Sequence, residues 1–424
     1  MSPSSATKTE PLRLPPWQFG LLCFVALSPS LGTALAALGR LALYVLALGV
    51  LLAAARRGRH HGLAWRAHAG LTSALVGVCA FLALSMAWSS VDGPSALWAW
   101  SRHARILAIP LLYYLVRDAG QGRTLLYVFI LTQVFVGLSS WLLVAGIHPP
   151  WISAVDPDTT FASYGSYLEE TIAQATTAGL LWFERDRIFG PRGRLLAIAL
   201  ALSTAVLALF FLRGRSGHVV LLAISALVAM QALPPGRRWL ALLLPFVAAA
   251  LLWFGAPNFR DRVNQVVQES SVYRQQGNVN SSSGERLLYW QTSLQAIAER
   301  PLLGYGAGSW NHEFRRIVGS TPVQTSMDVD NPHQLYLLWT VEGGLVGLAY
   351  LLAALAWPLR QARHLASADA WALRTMVCAL AVSGLFNSMI YGIGMGDFFC
   401  VGLGILLSLV PHDTGPSPDT HRPL

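Results

Sequence analysis

Charge is scarce in this chain. Of its 424 residues only 12% are charged, while 54% are hydrophobic and the mean hydropathy is +0.48. Soluble domains carry about 25% charged residues, so the deficit excludes an ordinary soluble globule and points to a polytopic membrane protein. Cysteine is scarcer still. Cys23, Cys79, Cys378 and Cys400 all lie in apolar runs without metal-ligand spacing. They read as packing residues and say little about redox compartment. No small-residue cleavage site follows the polar start MSPSSATKTEPLRLPP, which is expected to be a retained tail. Internal repeats are absent as well. What there is in excess is positive charge, a net +9. These basic residues sit in short loops between apolar runs and do not interleave with an aromatic platform. That pattern is an orientation signal and excludes nucleic acid as a partner.

The apolar runs predict an all-α integral membrane protein of about 12 transmembrane helices. The spans fall near 17–29, 33–55, 71–88, 105–116, 124–146, 171–183, 195–212, 218–233, 239–254, 333–357, 370–388 and 397–410. Alternate loops hold Arg56, Arg57, Arg59 and Arg66, then Arg117 and Arg123, then Arg185, Arg187, Arg192 and Arg194. Arg237 and Arg238 follow, then Arg360 and Arg363. All fall on one side if both termini are cytoplasmic, leaving 147–170 and the long segment 255–332 on the other. The chain thus divides into a membrane region of about nine spans (1–254), an extracytoplasmic helical segment (255–332) and a membrane region of about three spans (333–424). Within 255–332, Phe259, Val263, Val266, Val267 and Tyr273 recur at helical spacing, as in an amphipathic helix lying on the membrane or over a cavity. A Gly/Ser-rich linker or lid, RQQGNVNSSSG, separates it from a second helix, ERLLYWQTSLQAIAE, which Pro301 ends.

Four constellations could carry chemistry. FLRGRSG places Arg213 and Arg215 at the outer end of a span, where positive-inside counting disfavours them. Such arginines either snorkel to headgroups or form an anion site, since guanidinium forks match phosphate oxygens. SSSGERLLYW contains a capping box, Ser282 to Glu285, that puts Arg286 in the first helical turn. A cation there opposes the helix dipole by roughly 0.3–1 kcal/mol, and a bound anion would reverse that sign. A surface pair with an acidic residue is the alternative. LLGYGAGSW lacks a preceding strand and dinucleotide spacing, so its glycines predict a tight turn with close backbone approach. NPHQLYLLWTVEGG reads as Asn331 capping a helix with Pro332 at its first position and His333 in the first turn. A helix N-terminus favours a neutral imidazole, which suits a general base. Asp328 and Asp330 could instead join His333 around a metal. Glu342, roughly 13 Å further along the helix, reads as structurally paired.

GERLLYWQTSLQAIAERPLLGYGAGSW, NPHQLYL and EGGLVGL together resemble the signature of the O-antigen ligase and O-antigen polymerase family, with RGRSG as a second patch. The likeness covers roughly residues 281–350, and these motifs mark ligases and polymerases together, since the two differ in the acceptor alone. It implies a GT-C-type membrane glycosyltransferase, inverting and independent of metal, cofactor or nucleotide sugar. The implied donor is an undecaprenyl-diphosphate-linked glycan, and the implied acceptor a lipid A–core sugar at the periplasmic face of the bacterial inner membrane. Membrane lipids surround both. By the same resemblance His333 is the base and Arg215 and Arg286, with Arg213 beside them, face the diphosphate. Gln334 stands where the family usually has asparagine. Polymerisation of lipid-linked repeat units is the alternative within the family. A lipid-linked oligosaccharide flippase or transporter is the alternative outside it, and would not predict the first-turn histidine.

Overall fold

In a computed structural model of the chain, residues 14–56, 68–255, 257–276, 279, 281–319 and 329–411 are described, and among them there is no β-strand. The first helices are α1 (Pro16–Leu27), α2 (Thr33–Arg56), α3 (Ala69–Ser85), α4 (Gly93–His103), α5 (Ala108–Leu115), α6 (Ala119–Val144), α7 (Tyr167–Glu184) and α8 (Arg194–Val206). They are followed by α9 (Arg215–Ala232), α10 (Leu244–Gly255), α11 (Pro257–Gln276), α12 (Ser282–Glu299), α13 (Trp310–Val318), α14 (Leu335–Gln361), α15 (Ser367–Ser383) and α16 (Ile393–Ser408).

Every expected span is helical, but only seven helical stretches among the described residues are long and apolar enough to cross a membrane. They are Thr33–Arg56, Ala69–Trp88, Ala119–Val144, Pro191–Phe211, Arg215–Ala232, Pro235–Gly255 and Leu335–His364. By that measure the number is seven, not about 12. The shortfall has a physical cause. α1, α5, α15 and α16 are short, and α7 carries Glu169, Glu170 and Glu184.

α7 is an interior helix rather than a lipid-facing one. Nearly all of it from Glu170 to Glu184 is buried, against α6, α8, α9 and α15. Its threonines turn inward at little cost. The hydroxyls of Thr171, Thr176 and Thr177 donate to carbonyls one turn back, and Gln174 donates to the Gln133 carbonyl at 3.1 Å. Small residues let neighbours come close, and the start of α9 lies directly on Thr171.

α14 is broken at Gly344. Gly344 adopts φ 62° and ψ −162°, a conformation essentially reserved for glycine. The backbone groups freed by the break would be costly in hydrocarbon unless paired. Residues 301–306 pair them. Tyr305 and Gly306 N–H donate to the carbonyls of Val341 (2.9 Å) and Glu342 (2.9 Å), and Leu345 N–H donates to Pro301 (2.8 Å). Gly304, at φ +66°, lies so close that an added Cβ would sit 2.5 Å from the Val341 carbonyl oxygen. The glycines of LLGYGAGSW therefore do permit close approach, and what they approach is the broken helix. At the break, Glu342 is paired with His103 of α4 at 2.7 Å, both side chains buried. The helices between α10 and α14 then stack on this base: α11 packs on α12, and α12 packs on α13 and α14. The expected linker is shorter than 274–284, because α11 runs to Gln276 and Ser281 already caps α12. Residues 277, 278 and 280 of it lie outside the described residues.

Candidate active site

His333 is not in the first turn of α14. The helix starts at Leu335, capped by Gln334, whose side-chain oxygen accepts from Leu337 N–H at 2.5 Å. His333 precedes it with φ 50°, in the left-handed region. The Asn331 side chain does not cap the helix; its Oδ1 accepts from His333 N–H at 2.9 Å and closes a local turn instead. Left-handed backbone costs a non-glycine residue on the order of 1–2 kcal/mol, which this turn and its surroundings offset. Those surroundings are extensive. Leu335 N–H donates to the Gly384 carbonyl at 2.8 Å. Asn331 Nδ2 donates to Asp330 at 2.7 Å, and Asp330 forms an ion pair with Arg102 of α4. Arg102 in turn lies 3.7 Å over the Tyr391 ring, and its Nε donates to the Tyr391 carbonyl at 3.0 Å.

The imidazole faces the ring of Tyr289 on α12, centroid to centroid 6.2 Å. Tyr289 is buried against Trp310 and Phe314 of α13, which stack on each other, 5.7 and 5.2 Å away in edge-on contacts. Trp310 is held by a 2.8 Å hydrogen bond from Nε1 to Ser293 Oγ. Burial and then the charge of Arg286 hold the His333 imidazole below its ordinary pKa, with Asp330 pulling the other way. The result favours the neutral form.

Arg286 does not lie in the first turn either. Ser281, not Ser282, caps α12 and accepts from Gly284 N–H at 3.1 Å, so Arg286 opens the second turn. Burial, then the charge of Arg215, holds the Arg286 guanidinium below its ordinary range. Arg215 is the first residue of α9. Two guanidiniums in mutual range at a half-buried site are an unfavourable arrangement unless an anion joins them. The chain itself supplies one. Glu269 of α11 lies 3.9 Å from Arg215 and accepts from Ser283 N–H at 3.3 Å. A carboxylate thus occupies the N-terminal end of α12, where an anion is favoured. Arg213 is different: it is exposed in the short loop between α8 and α9.

Of the sequence candidates, the structure therefore groups His333, Arg286 and Arg215, and leaves Arg213 at the rim. Asp328 lies outside the described residues. Asp330 is engaged with Arg102, which leaves its carboxylate below the usual range although burial by itself would raise it. Among the described residues no group of three His, Cys, Asp or Glu side chains is placed to hold a metal ion. Arg102, Tyr391 and Glu269 have no local sequence signal, because each acts through a partner distant in the chain; Tyr289 lies within GERLLYW, but its place against His333 does not show there.

These features define a class first: an all-helical, multi-pass membrane protein that gathers arginines and a neutral-leaning histidine beside a broken helix. Residues 196–352, which include Arg213, Arg215, Arg286 and His333, match the family model described as O-antigen ligase, and this match supports an assignment to that family. The family covers O-antigen ligases and related polymerases. The chain is also similar to an uncharacterized protein of Haemophilus influenzae, 23% identical over 277 residues, 63% of this chain and 65% of that protein. It thus spans slightly less than two thirds of that relative's length.

Proposed function

We propose that the chain is an inverting, metal-independent glycosyltransferase of the GT-C type. It moves O-antigen glycan from undecaprenyl diphosphate to a lipid A–core hydroxyl at the periplasmic face of the inner membrane, with both termini cytoplasmic. The observation that carries this reading is that Arg286 lies in electrostatic range of both His333 and Arg215, while Tyr289 of the same helix faces the His333 ring at 6.2 Å. In the proposed step, the acceptor hydroxyl oxygen attacks the anomeric carbon and its proton passes to the neutral imidazole of His333. The bond from that carbon to the diphosphate oxygen breaks, and the diphosphate leaves with the electron pair. Arg215 and Arg286 neutralise the charge that develops on it, the task a metal performs elsewhere. A single displacement inverts the anomeric centre. Arg213, exposed at the rim, serves headgroups or the outer edge of the donor.

The test is reconstitution of the full chain in vesicles with purified lipid-linked glycan and lipid A–core, in excess chelator. Glycan should appear on lipid A–core with the wild type and not with His333→Gln. Lengthening of the lipid-linked glycan without any transfer to lipid A–core would make the chain a polymerase instead. Activity restored only by added Mg²⁺ or Mn²⁺ would overturn the metal-free mechanism.

A further inference from the structure

The end of the bundle remote from His333 holds a second group of arginines. α15 finishes at the candidate active site, where the Gly384 carbonyl accepts from Leu335 N–H. Arg374 lies ten residues earlier, about 15 Å away along that helix. α9 likewise begins at Arg215, and Arg238 follows its other end, in a 3₁₀ segment over Pro235–Leu243. These two arginines meet at one ring. The guanidinium carbon of Arg374 is 4.6 Å from the centre of Trp371, and that of Arg238 is 5.8 Å from it. Trp371 is buried and stacks on Phe183 of α7, centroid to centroid 5.7 Å. The ring attracts both cations but leaves their N–H donors unused.

The neighbouring charges are accounted for. Arg123 and Arg187 each pair with Asp369 at 3.2 Å, and buried Glu184 lies in range of the same three groups. Arg185 and Arg194 share Asp186. Arg238 and Arg374 have no acidic partner among the described residues, and Nε of Arg238 is buried without any hydrogen bond. Both side chains are half-buried, and the charge that acts on Arg374 is that of Arg238. Two like charges so placed repel. A phosphate reverses the sign, because its oxygens match two guanidinium forks at once. The adjoining surface indicates which kind of phosphate. Pro235–Gly255 is apolar and scarcely buried, and Trp239, Leu242 and Phe246 are exposed just after Arg238. Cations bordering an exposed apolar flank suit an amphiphile, with its phosphate on the arginines and its acyl chains along the flank. Asp369 is already shared, so no carboxylate is left to hold a headgroup ammonium. That favours a net-anionic lipid over a zwitterionic one.

We propose that Arg238 and Arg374, gathered on Trp371, bind the phosphate of an anionic phospholipid at the end of the bundle opposite the candidate active site. The bound headgroup bridges the peripheral stretch 235–255 to α15, which is otherwise part of the buried interior. This site is independent of glycosyl transfer, since none of its residues belongs to the group around His333.

The test titrates the full chain in detergent with phosphatidylglycerol, phosphatidylcholine or inorganic phosphate, and counts bound molecules by native mass spectrometry. Wild type should bind phosphatidylglycerol more tightly than phosphatidylcholine. Arg238→Gln and Arg374→Gln should each weaken phosphatidylglycerol binding about tenfold or more, the scale of a lost hydrogen bond to a charged group. Arg192→Gln removes an exposed arginine from the same end of the bundle and should change binding by no more than about twofold. Arg238 lies on the outer flank, so its variant carries the test if Arg374→Gln fails to fold. Equal binding of the two lipids by wild type, or unchanged phosphatidylglycerol binding in Arg238→Gln, would overturn the proposal. An equal loss in Arg192→Gln would overturn it too, reducing the arginines to a diffuse basic face. Inorganic phosphate that binds wild type as tightly as the lipid, and is lost in Arg238→Gln, would put a free phosphate in the place of the phospholipid.

Discussion

At the scale of single residues, His333 sits between two opposing charges, and that makes its role testable through pH. If the neutral imidazole is the base, kcat/KM falls on the acid side as His333 protonates. Arg286 helps to hold its pKa down and Asp330 pulls it up. Removing the cation should therefore move the acid limb to higher pH, and removing the anion should move it lower. Profiles of the residual activity of Arg286→Gln and Asp330→Asn are expected to shift in opposite directions. A shift in the same direction in both would rule His333 out as the titrating group. His333→Gln keeps polarity without a useful base and should lose roughly 10²–10⁴-fold in rate. Glu269 supplies a second test at this scale. Its carboxylate competes for Arg215 at 3.9 Å, so Glu269→Gln should tighten donor binding. Arg215→Lys keeps the charge but loses the planar fork, and should weaken it. Titration of each variant with lipid-linked glycan reads both effects.

Among the elements, the break in α14 has the largest structural consequence. A Cβ on Gly344 would meet the Leu302 carbonyl oxygen at 2.1 Å, in a backbone conformation other residues rarely adopt. Gly344→Ala should cost about 3 kcal/mol or more, the size expected when strain and a backbone clash combine. The measurement is the thermal midpoint in detergent, with Gly49→Ala as control, because nothing lies within 4 Å of the Cβ position there. A Gly344→Ala midpoint equal to wild type would mean that the contact with residues 301–306 does not hold α14. The same contact explains how α14 comes to organise the candidate site. It ties residues 301–306 to the helix, and α13 follows shortly after, bringing Trp310 against Tyr289 and Tyr289 against His333. The buried His103–Glu342 pair at the break links α4 to the same point, so α4 and the histidine loop share one foundation.

Across the whole molecule, the arginine-rich connection between α7 and α8 and the Arg213–Arg215 loop are separated by α8 and its π turn. From Arg194 to Phe211 that is about 25 Å of helix, close to the thickness of a hydrocarbon core. A reporter fused after Arg238 should behave as cytoplasmic and one fused after Arg274 as periplasmic. A cytoplasmic reporter at Arg274 would put the arginines and His333 on the wrong side of the membrane for a periplasmic transfer.

Much of this architecture is legible in the residues themselves. Scarce charge and repeated apolar runs dictate helices in a bilayer, because a backbone in hydrocarbon must satisfy its own hydrogen bonds. Every expected span is accordingly helical, though hydropathy could not distinguish the interior helix α7 from helices that face lipid. The motifs around Arg215, Arg286 and His333 are local strings, and so could be picked out one by one. The caps at Ser281 and Gln334 are not legible in the sequence, because Ser282 and Asn331 offer caps of the same chemistry and only the backbone path selects between them. What tertiary structure alone decided is which distant groups meet. Arg102 and Asp330 are 228 residues apart, and His103 and Glu342 are 239 apart. Periodicity orients a side chain on its own helix but does not name the helix opposite. Those pairings follow from close packing at small residues and, for His103 and Glu342, from the need to give buried polar groups a partner, and both exist only once the helices have assembled.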